Sequence, residues 1–197
     1  MKEGGKFIVL YGPNNIGKTS QVSLLVEALT ALGLDAKALK YPVYELEPTG
    51  RLLNSVLREG NKQSLNAEQI QELFARNRRD YEPELTKELA KGTWVVSEDY
   101  TGTGFAWGLT FGVSFEKLVE FNKGLRREDL AICLIGDRFT TGIERVHLHE
   151  RSEKWELNRA IHIELAEYFN WEVINANQSI EEVKRDIWEV VRRRLIT

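Results

Sequence analysis

The sequence is poor in cysteine and in long hydrophobic runs, and neither sign of charge predominates. Its single cysteine, Cys133, excludes a disulfide within the chain and fits a reducing compartment. Cys133 lies inside the apolar run Leu130–Ile135, which predicts a buried thiol rather than a catalytic one. The 27 basic and 30 acidic side chains give a formal net charge of −3, so no global basic field is available to hold polymeric nucleic acid. A local basic pocket for a small phosphate ligand is compatible with this balance.

The chain also lacks repeats, low-complexity tracts and linkers rich in proline, glycine or serine. The charged start, Met1–Lys6, leads into the short apolar run Phe7–Tyr11, which is too short for a signal peptide or a membrane span. We therefore expect a cytoplasmic protein without a membrane partner. Its 197 residues suit one domain that spans the whole chain, residues 1–197.

Short apolar runs rich in β-branched residues alternate with longer patterns of helical periodicity. The predicted strands are Lys6–Tyr11, Asp35–Lys40, Trp94–Ser97, Leu130–Gly136 and Trp171–Ile174. The predicted helices are Gly17–Leu32, Pro48–Glu59, Ala67–Lys91, Ser114–Lys123, Glu153–Phe169 and Ser179–Arg194. This alternation predicts an α/β fold in which a five-stranded parallel sheet is covered by helices on both faces. Ligands of such folds bind at the carboxyl ends of the strands.

The long helix predicted at Ala67–Lys91 carries two local signals. Asn66 is placed to cap its first turn, because an asparagine side chain can accept from the free N–H groups there. Pro83 is expected to kink or break the helix, because proline lacks an N–H and crowds the preceding turn. The polar segment Arg138–Glu150 shows no clear pattern.

The strongest motif is the segment Gly12–Thr19, which follows the first predicted strand and opens a helix. It matches the pattern Gly-x4-Gly-Lys-Ser/Thr of phosphate-binding P-loops. In such loops, backbone N–H groups and the helix N-terminus hold phosphate oxygens, the lysine reaches the β- and γ-phosphates, and the hydroxyl binds Mg²⁺. The predicted nucleotide-binding residues are Gly12, Asn14, Asn15, Gly17, Lys18, Thr19 and Ser20, with Thr19 as the metal ligand.

In their order along the chain, the motifs between Lys6 and Leu195 resemble those of thymidylate kinase. The matching segments are Gly12–Gln21, Tyr41-Pro42, Thr49–Leu53, Leu73–Arg78, Trp94–Tyr100, Thr103–Trp107, His149–Arg151 and Asn170–Val183. Their shared order, more than any one segment after the P-loop, makes the match specific.

The resemblance implies a P-loop kinase fold with a mobile lid near residues 138–151. It implies an enzyme that transfers the γ-phosphoryl group of ATP, with Mg²⁺, to a pyrimidine nucleoside monophosphate, most simply dTMP. It also implies a homodimer. In the lid, Arg145 and Arg151 are expected to stabilise the transferring phosphoryl group, although arginines that merely solvate a surface helix would have the same pattern.

The resemblance also implies the residues of the acceptor site. Phe74 matches the aromatic residue that stacks on thymine, and Arg78 matches the arginine that hydrogen-bonds the base. Four residues apart on a helix, they lie on one face, although a core phenylalanine beside a solvated arginine has the same spacing. Trp107 is expected either as another wall of this pocket or as core packing. The remaining expected acceptor residues are Tyr41, Pro42 and Tyr100.

The chain departs from the family pattern at three places. Asn14 stands where the family's P-loop carries an aspartate, and the segment after Tyr41-Pro42 offers no arginine for the acceptor phosphate before Arg51. Asp99 stands where the family has an arginine that contacts the phosphates. Two unit charges at ~5 Å in an effective dielectric of ~20 interact with ~3 kcal/mol, so a reversed sign at this position matters. The candidates for a compensating cation are Lys40, Arg76, Arg79 and Arg138.

These departures leave three hypotheses open. The first is a divergent nucleoside monophosphate kinase with relocated phosphate-binding cations. The second is a kinase for an uncharged acceptor such as a deoxynucleoside, with Glu98 as general base. The third is a nucleotide-binding protein with little catalysis. In the first, either Glu98 or Asp99 would assist Thr19 in holding Mg²⁺ through water.

Overall fold

The computed structural model describes residues 4–139 and 154–196, and this part of the chain forms an α/β fold. Its strands are β1 (Phe7–Tyr11), β2 (Ala36–Lys40), β3 (Trp94–Glu98), β4 (Leu130–Ile135) and β5 (Glu172–Asn175). Its helices are α1 (Lys18–Ala31), α2 (Thr49–Arg58), α3 (Ala67–Ala90), α4 (Thr101–Thr110), α5 (Phe115–Phe121), α6 (Trp155–Tyr168) and α7 (Ile180–Leu195). Among these described helices, none is both long and apolar enough to cross a membrane.

The five strands form one parallel sheet in the order β2-β3-β1-β4-β5. The central strand β1 is buried along its whole length. Its side chains alternate between the two faces, so Ile8 and Leu10 join one core cluster while Phe7, Val9 and Tyr11 join another. A strand buried on both faces in this way explains the continuous apolar run in the sequence. The predicted five-stranded parallel sheet is confirmed.

The predicted elements agree with the described ones to within two residues at each end, with two corrections. Asn66 caps α3 as predicted, accepting from the N–H of Gln69. Pro83, however, does not break α3, which continues through it to Ala90. Pro83 is solvent-exposed, so water can solvate the carbonyl that loses its N–H partner in the preceding turn.

Helix α4 was missed by the sequence prediction because it is rich in glycine, which disfavours helices. The glycines are required by packing instead. A Cβ at Gly102 would collide with the rings of Tyr11 and Trp171, and one at Gly108 would collide with Leu118. Tertiary packing therefore overrides the local preference here.

The carboxyl ends of β1, β2 and β3 lie side by side and position the functional residues. β1 leads into the P-loop, β2 into Tyr41, and β3 ends at Glu98. The register pairs Glu98 with Leu10 on one side and with Lys40 on the other. Cys133, on β4, is completely buried, as predicted.

Candidate active site

A cleft of about 310 Å³ opens at the carboxyl ends of these strands. It is lined by most of the residues that the sequence predicted for the site: Asn14, Asn15, Gly17, Lys18, Thr19, Ser20, Tyr41, Pro42, Phe74, Arg78, Glu98, Asp99, Tyr100 and Trp107. Gly12, the first residue of the loop, is not among the described residues that line the cleft, and a Cβ there would collide with the Leu134 carbonyl. Arg145 and Arg151 lie outside the described residues, so their predicted roles are untested.

The P-loop curls around the end of the Lys18 side chain. Asn15 and Gly17 have left-handed backbones, with φ of 61° and 93°. The Lys18 ammonium donates to the carbonyls of Gly12 and Pro13 at 2.8 and 2.9 Å. The loop is also held from outside, because the Trp155 indole N–H donates to the Asn14 carbonyl at 2.8 Å. The sequence prediction did not identify this anchor, which lies 141 residues further along the chain.

Glu98 links the P-loop to the end of β2. It accepts from the Thr19 hydroxyl at 2.7 Å and pairs with the Lys40 ammonium at 2.9 Å. Burial alone would raise the pKa of Glu98, but Lys18, Lys40 and the Thr19 hydroxyl together bring that pKa below its ordinary value. Glu98 is therefore ionised at neutral pH.

Asp99 lies beside the donor lysine. Its backbone is left-handed, with φ of 63°, and its carboxylate accepts from Thr103 at 2.8 Å and lies 3.6 Å from the Lys18 ammonium. Burial raises the pKa of Asp99, Lys18 opposes this rise, and Glu98 adds to it. The Lys18 ammonium offsets the negative charge of Asp99. This reduces the electrostatic repulsion that the sequence predicted between Asp99 and a bound phosphate.

One stripe of α3 forms the other wall of the cleft. Gln71, Phe74 and Arg78 are three and four residues apart, face the cleft together, and are buried or half-buried. Arg78 is therefore not the solvated arginine of the alternative interpretation. Gln71, which the sequence prediction did not identify, has a buried Oε1 without a hydrogen-bond partner among the described residues.

Arg78 is held in place by neutral partners. Its Nε and Nη2 donate to Asn122 Oδ1 at 3.2 and 2.9 Å, and its Nη1 donates to the Tyr100 carbonyl at 3.4 Å. Burial lowers the pKa of Arg78 to about 10, which leaves the guanidinium charged at neutral pH. Trp107 is both buried and part of the cleft wall, so its two predicted roles coexist.

The chemistry of the donor set fits Mg²⁺. The Thr19 hydroxyl and the Glu98 carboxylate present adjacent oxygens, the ligands that this ion prefers. Within the described residues there is no group of three or more His, Cys, Asp or Glu side chains that could hold a metal alone. Mg²⁺ is usually held by one or two protein ligands together with substrate phosphates, and Thr19 and Glu98 would supply two such ligands.

Comparison with known proteins agrees with this geometry. The family model for thymidylate kinase matches residues 10–187. The chain is 32% identical to a probable thymidylate kinase of Pyrococcus abyssi, over 98% of each chain, and 31% identical to the human thymidylate kinase, over 93% of this chain and 88% of the other. The chain belongs to the thymidylate kinase family. A solved thymidylate kinase from Candida albicans shares the fold, with a TM-score of 0.83, 20% identity and coverage of 96% and 92%.

Members of the thymidylate kinase family are phosphotransferases. The structure also shows where the cations lie that could compensate for this chain's departures from the family's sequence pattern. Of the four candidate compensating cations, Lys40 lines the cleft and is bound to Glu98. Arg79 instead donates to the carbonyls of Phe121 and Lys123. Arg76 and Arg138 are not among the described residues that line the cleft.

A cation that the sequence prediction missed, Arg58, lines the cleft at the end of α2. Its guanidinium lies 4.6 Å from the ring centroid of Tyr44. No motif marks Arg58, and its contact with Tyr44 arises from the way in which α2 packs.

Proposed function

We propose that this protein catalyses phosphorylation of dTMP to dTDP by ATP. The observation that carries the proposal is that one cleft joins the P-loop lysine and hydroxyl to the aromatic–arginine pair of α3. The P-loop provides a site for the donor triphosphate, and Phe74 with Arg78 provides a flat apolar surface beside a charged donor of hydrogen bonds. A pyrimidine base with carbonyl oxygens matches that combination.

In the proposed reaction, a phosphate oxygen of dTMP attacks the γ-phosphorus of ATP, a new P–O bond forms, and ADP leaves with the bridging oxygen. Lys18 would neutralise charge on the donor phosphates. Thr19 and Glu98 would hold Mg²⁺, which supplies charge stabilisation when bound. Phe74 would stack on thymine and Arg78 would donate to it, with Tyr41, Pro42, Tyr100 and Trp107 completing the acceptor wall. Catalysis would rest on positioning and electrostatics.

The lid of the proposed enzyme belongs to the same scheme. We propose a single domain that spans residues 1–197 and carries a lid near residues 138–151. In this lid, Arg145 and Arg151 would close over the transferring phosphoryl group. Both arginines lie outside the described residues, so these roles rest on the family pattern.

The test of the proposed function is release of ADP from ATP and Mg²⁺ with a panel of acceptors. The panel contains each ribo- and deoxynucleoside monophosphate and each free nucleoside. We expect the highest kcat/KM with dTMP, because it combines a pyrimidine base that bears carbonyl oxygens with a phosphate and is the acceptor that the family match favours. Turnover confined to free nucleosides, or binding of ATP without turnover of any acceptor, would contradict the proposal.

We also propose that the enzyme is a homodimer, as the family pattern implies. Four apolar side chains of α5 and the end of α6 form an exposed or half-exposed surface: Phe115, Val119, Tyr168 and Phe169. Three of their rings pack edge to edge or tilted against one another, which presents a firm apolar face.

If the protein is a homodimer, light scattering after size exclusion is expected to give twice the monomer mass of 22.7 kDa. Replacing Tyr168, which is 69% exposed, with serine should shift the protein toward the monomer. Ile180→Ser serves as the control, because Ile180 is also an exposed apolar residue but lies on α7, outside the proposed dimer surface. A monomeric wild type would refute the dimer, and a dimer unaffected by Tyr168→Ser would refute the surface.

A further inference from the structure

The guanidinium of Arg78 is anchored by Asn122, which directly follows α5. The Oδ1 atom of Asn122 accepts from Arg78 Nε at 3.2 Å and from Arg78 Nη2 at 2.9 Å. Because two N–H groups of one rigid, planar group converge on one oxygen, the guanidinium is restricted in both position and direction. Asn122 is not among the described residues that line the cleft. Its influence on a ligand in the cleft would therefore act through Arg78.

The amide of Asn122 is itself oriented by a second contact. Its Nδ2 donates to the Leu118 carbonyl, one helical turn earlier, at 2.7 Å. The nitrogen of the amide is thus engaged at α5, and the oxygen faces Arg78, so the two contacts agree on the placement of the oxygen and the nitrogen. Asn122 therefore offers Arg78 a fixed acceptor.

Helix α4 also contacts the guanidinium. Arg78 Nη1 donates to the carbonyl of Tyr100, at the start of α4, at 3.4 Å. A Cβ at Gly104 would lie only 2.9 Å from Arg78 Nη2 and 3.3 Å from Nη1. Glycine at this position therefore allows the backbone to approach the guanidinium closely. The orientation of Arg78, on α3, is thus set by contacts from two other parts of the chain.

These contacts leave charge and donor capacity of Arg78 for a ligand. Of the five N–H groups of an arginine, the bonds to Asn122 and to the Tyr100 carbonyl engage three. The remaining two belong to Nη1 and Nη2. Both described acceptors are uncharged, so they do not offset the positive charge as a carboxylate would. Since Arg78 lines the cleft, a carbonyl oxygen of a bound base would be a matching acceptor.

The carbonyl that separates thymine from cytosine is the one at position 4, where cytosine carries an amino group. In a nucleotide this carbonyl lies at the end of the base away from the sugar. Arg78 is only 3% exposed, which suits the inner end of the cleft, whereas the phosphate of the acceptor must extend toward Lys18. An amino group at position 4 would present a donor to the donors of Arg78, and a buried charged group would lose a bond.

We propose that Asn122 is a positioning residue for acceptor specificity, which aims the Arg78 guanidinium at the position-4 carbonyl of the base. This inference rests on the proposed function. The anchor is necessary because a guanidinium that could turn aside would lose the bond to a carbonyl and would also avoid the clash with an amino group. Discrimination between the two bases thus depends on the geometry that Asn122 imposes.

The experiment compares wild type, Asn122→Ala and Gly104→Ala, each with and without Arg78→Met. The acceptors are dTMP and 5-methyl-dCMP, which share methyl group, sugar and phosphate and differ in the group at position 4 and the proton at N3. Steady-state assays with ATP and Mg²⁺ give kcat and KM, calorimetric titration gives Kd, and thermal unfolding reports on the fold. Ser114→Ala is the matched control, because Ser114 caps α5 at its other end and is not among the described lining residues.

We expect Asn122→Ala to lower the acceptor ratio, kcat/KM for dTMP divided by kcat/KM for 5-methyl-dCMP, about 10-fold, because an unanchored guanidinium is misplaced for the bond. The loss should appear in the KM for dTMP, with kcat within about twofold of wild type, since the base does not react. Gly104→Ala should lower the same ratio, because the added methyl group displaces Nη2. With Arg78→Met present, neither change should lower the ratio further, since both act through Arg78. Ser114→Ala should keep the wild-type ratio although the lost cap lowers stability.

Three results would overturn the inference while leaving the proposed function intact. The first is an unchanged acceptor ratio in Asn122→Ala. The second is an equal loss with both acceptors, which would make Asn122 a residue of the fold only. The third is a fall in the ratio that is just as large when Arg78→Met is present. If Asn122→Ala does not fold, the same three comparisons with Gly104→Ala decide the inference.

Failure of the proposed function has a different signature, namely a wild type that turns over neither acceptor. The ratio of the two Kd values then decides the inference in place of kcat/KM. A wild type that shows no preference for dTMP over 5-methyl-dCMP would overturn the role of Asn122 in specificity.

Discussion

Replacing Lys18 with methionine is expected to lower kcat by about 10²- to 10³-fold or more. The Lys18 ammonium lies among the loop carbonyls and beside Asp99, where a donor phosphate would be held by the same loop. Methionine keeps an unbranched stem of similar length but removes the charge that would offset the donor phosphates. The measurement is ADP release with saturating dTMP, ATP and Mg²⁺.

The fold is expected to survive this change. Loss of the lysine leaves the Asp99 carboxylate buried without its ion pair, but burial already raises the pKa of Asp99, so the group can take up a proton instead of remaining charged. Circular dichroism and thermal unfolding check this. Lys37→Met is the matched control, because Lys37 pairs with Glu88 at 3.4 Å outside the cleft. Retained activity in Lys18→Met would refute the role of Lys18.

Replacing Glu98 with glutamine is expected to lower kcat/KM by about 10- to 100-fold and to raise the Mg²⁺ concentration needed for half-maximal rate. Glu98 is the ionised partner of the Thr19 hydroxyl, and the amide of glutamine keeps the size of the side chain but loses its charge. A weaker metal site should therefore appear as a shifted Mg²⁺ dependence, measured at several metal concentrations with fixed ATP.

The controls for Glu98 separate its two contacts. Lys40→Met removes the cation that pairs with Glu98 but keeps the carboxylate, so its Mg²⁺ dependence should not move to higher concentration. Glu88→Gln makes the same exchange on α3, outside the cleft. If Glu98→Gln loses activity with an unchanged Mg²⁺ dependence, Glu98 acts on another part of the reaction and the assignment to the metal is wrong.

Much of the fold could be predicted because its signals are local. A strand such as Phe7–Tyr11 is apolar throughout, and α3 begins at an asparagine that caps it. The prediction failed where tertiary contacts outweigh local preference. Helix α4 contains glycines that its neighbours require, and Pro83 lies within α3 without ending it.

The same division applies to the site. The P-loop is one contiguous segment whose backbone makes the phosphate site, so Gly17, Lys18 and Thr19 could be identified from spacing alone. Phe74 and Arg78 lie on one helix, and both line the cleft. Their action on a substrate stays a prediction.

The sequence by itself thus determined the sheet, the P-loop and the family to which the chain belongs. Only the tertiary structure decided which charges meet: Asp99 with Lys18, Glu98 with Lys40, and Arg58 with Tyr44. The physical reason is that a backbone motif depends on neighbours along the chain, whereas a charge pair depends on how separate segments pack. An aspartate that looked repulsive in the sequence is accordingly paired with Lys18 in the fold.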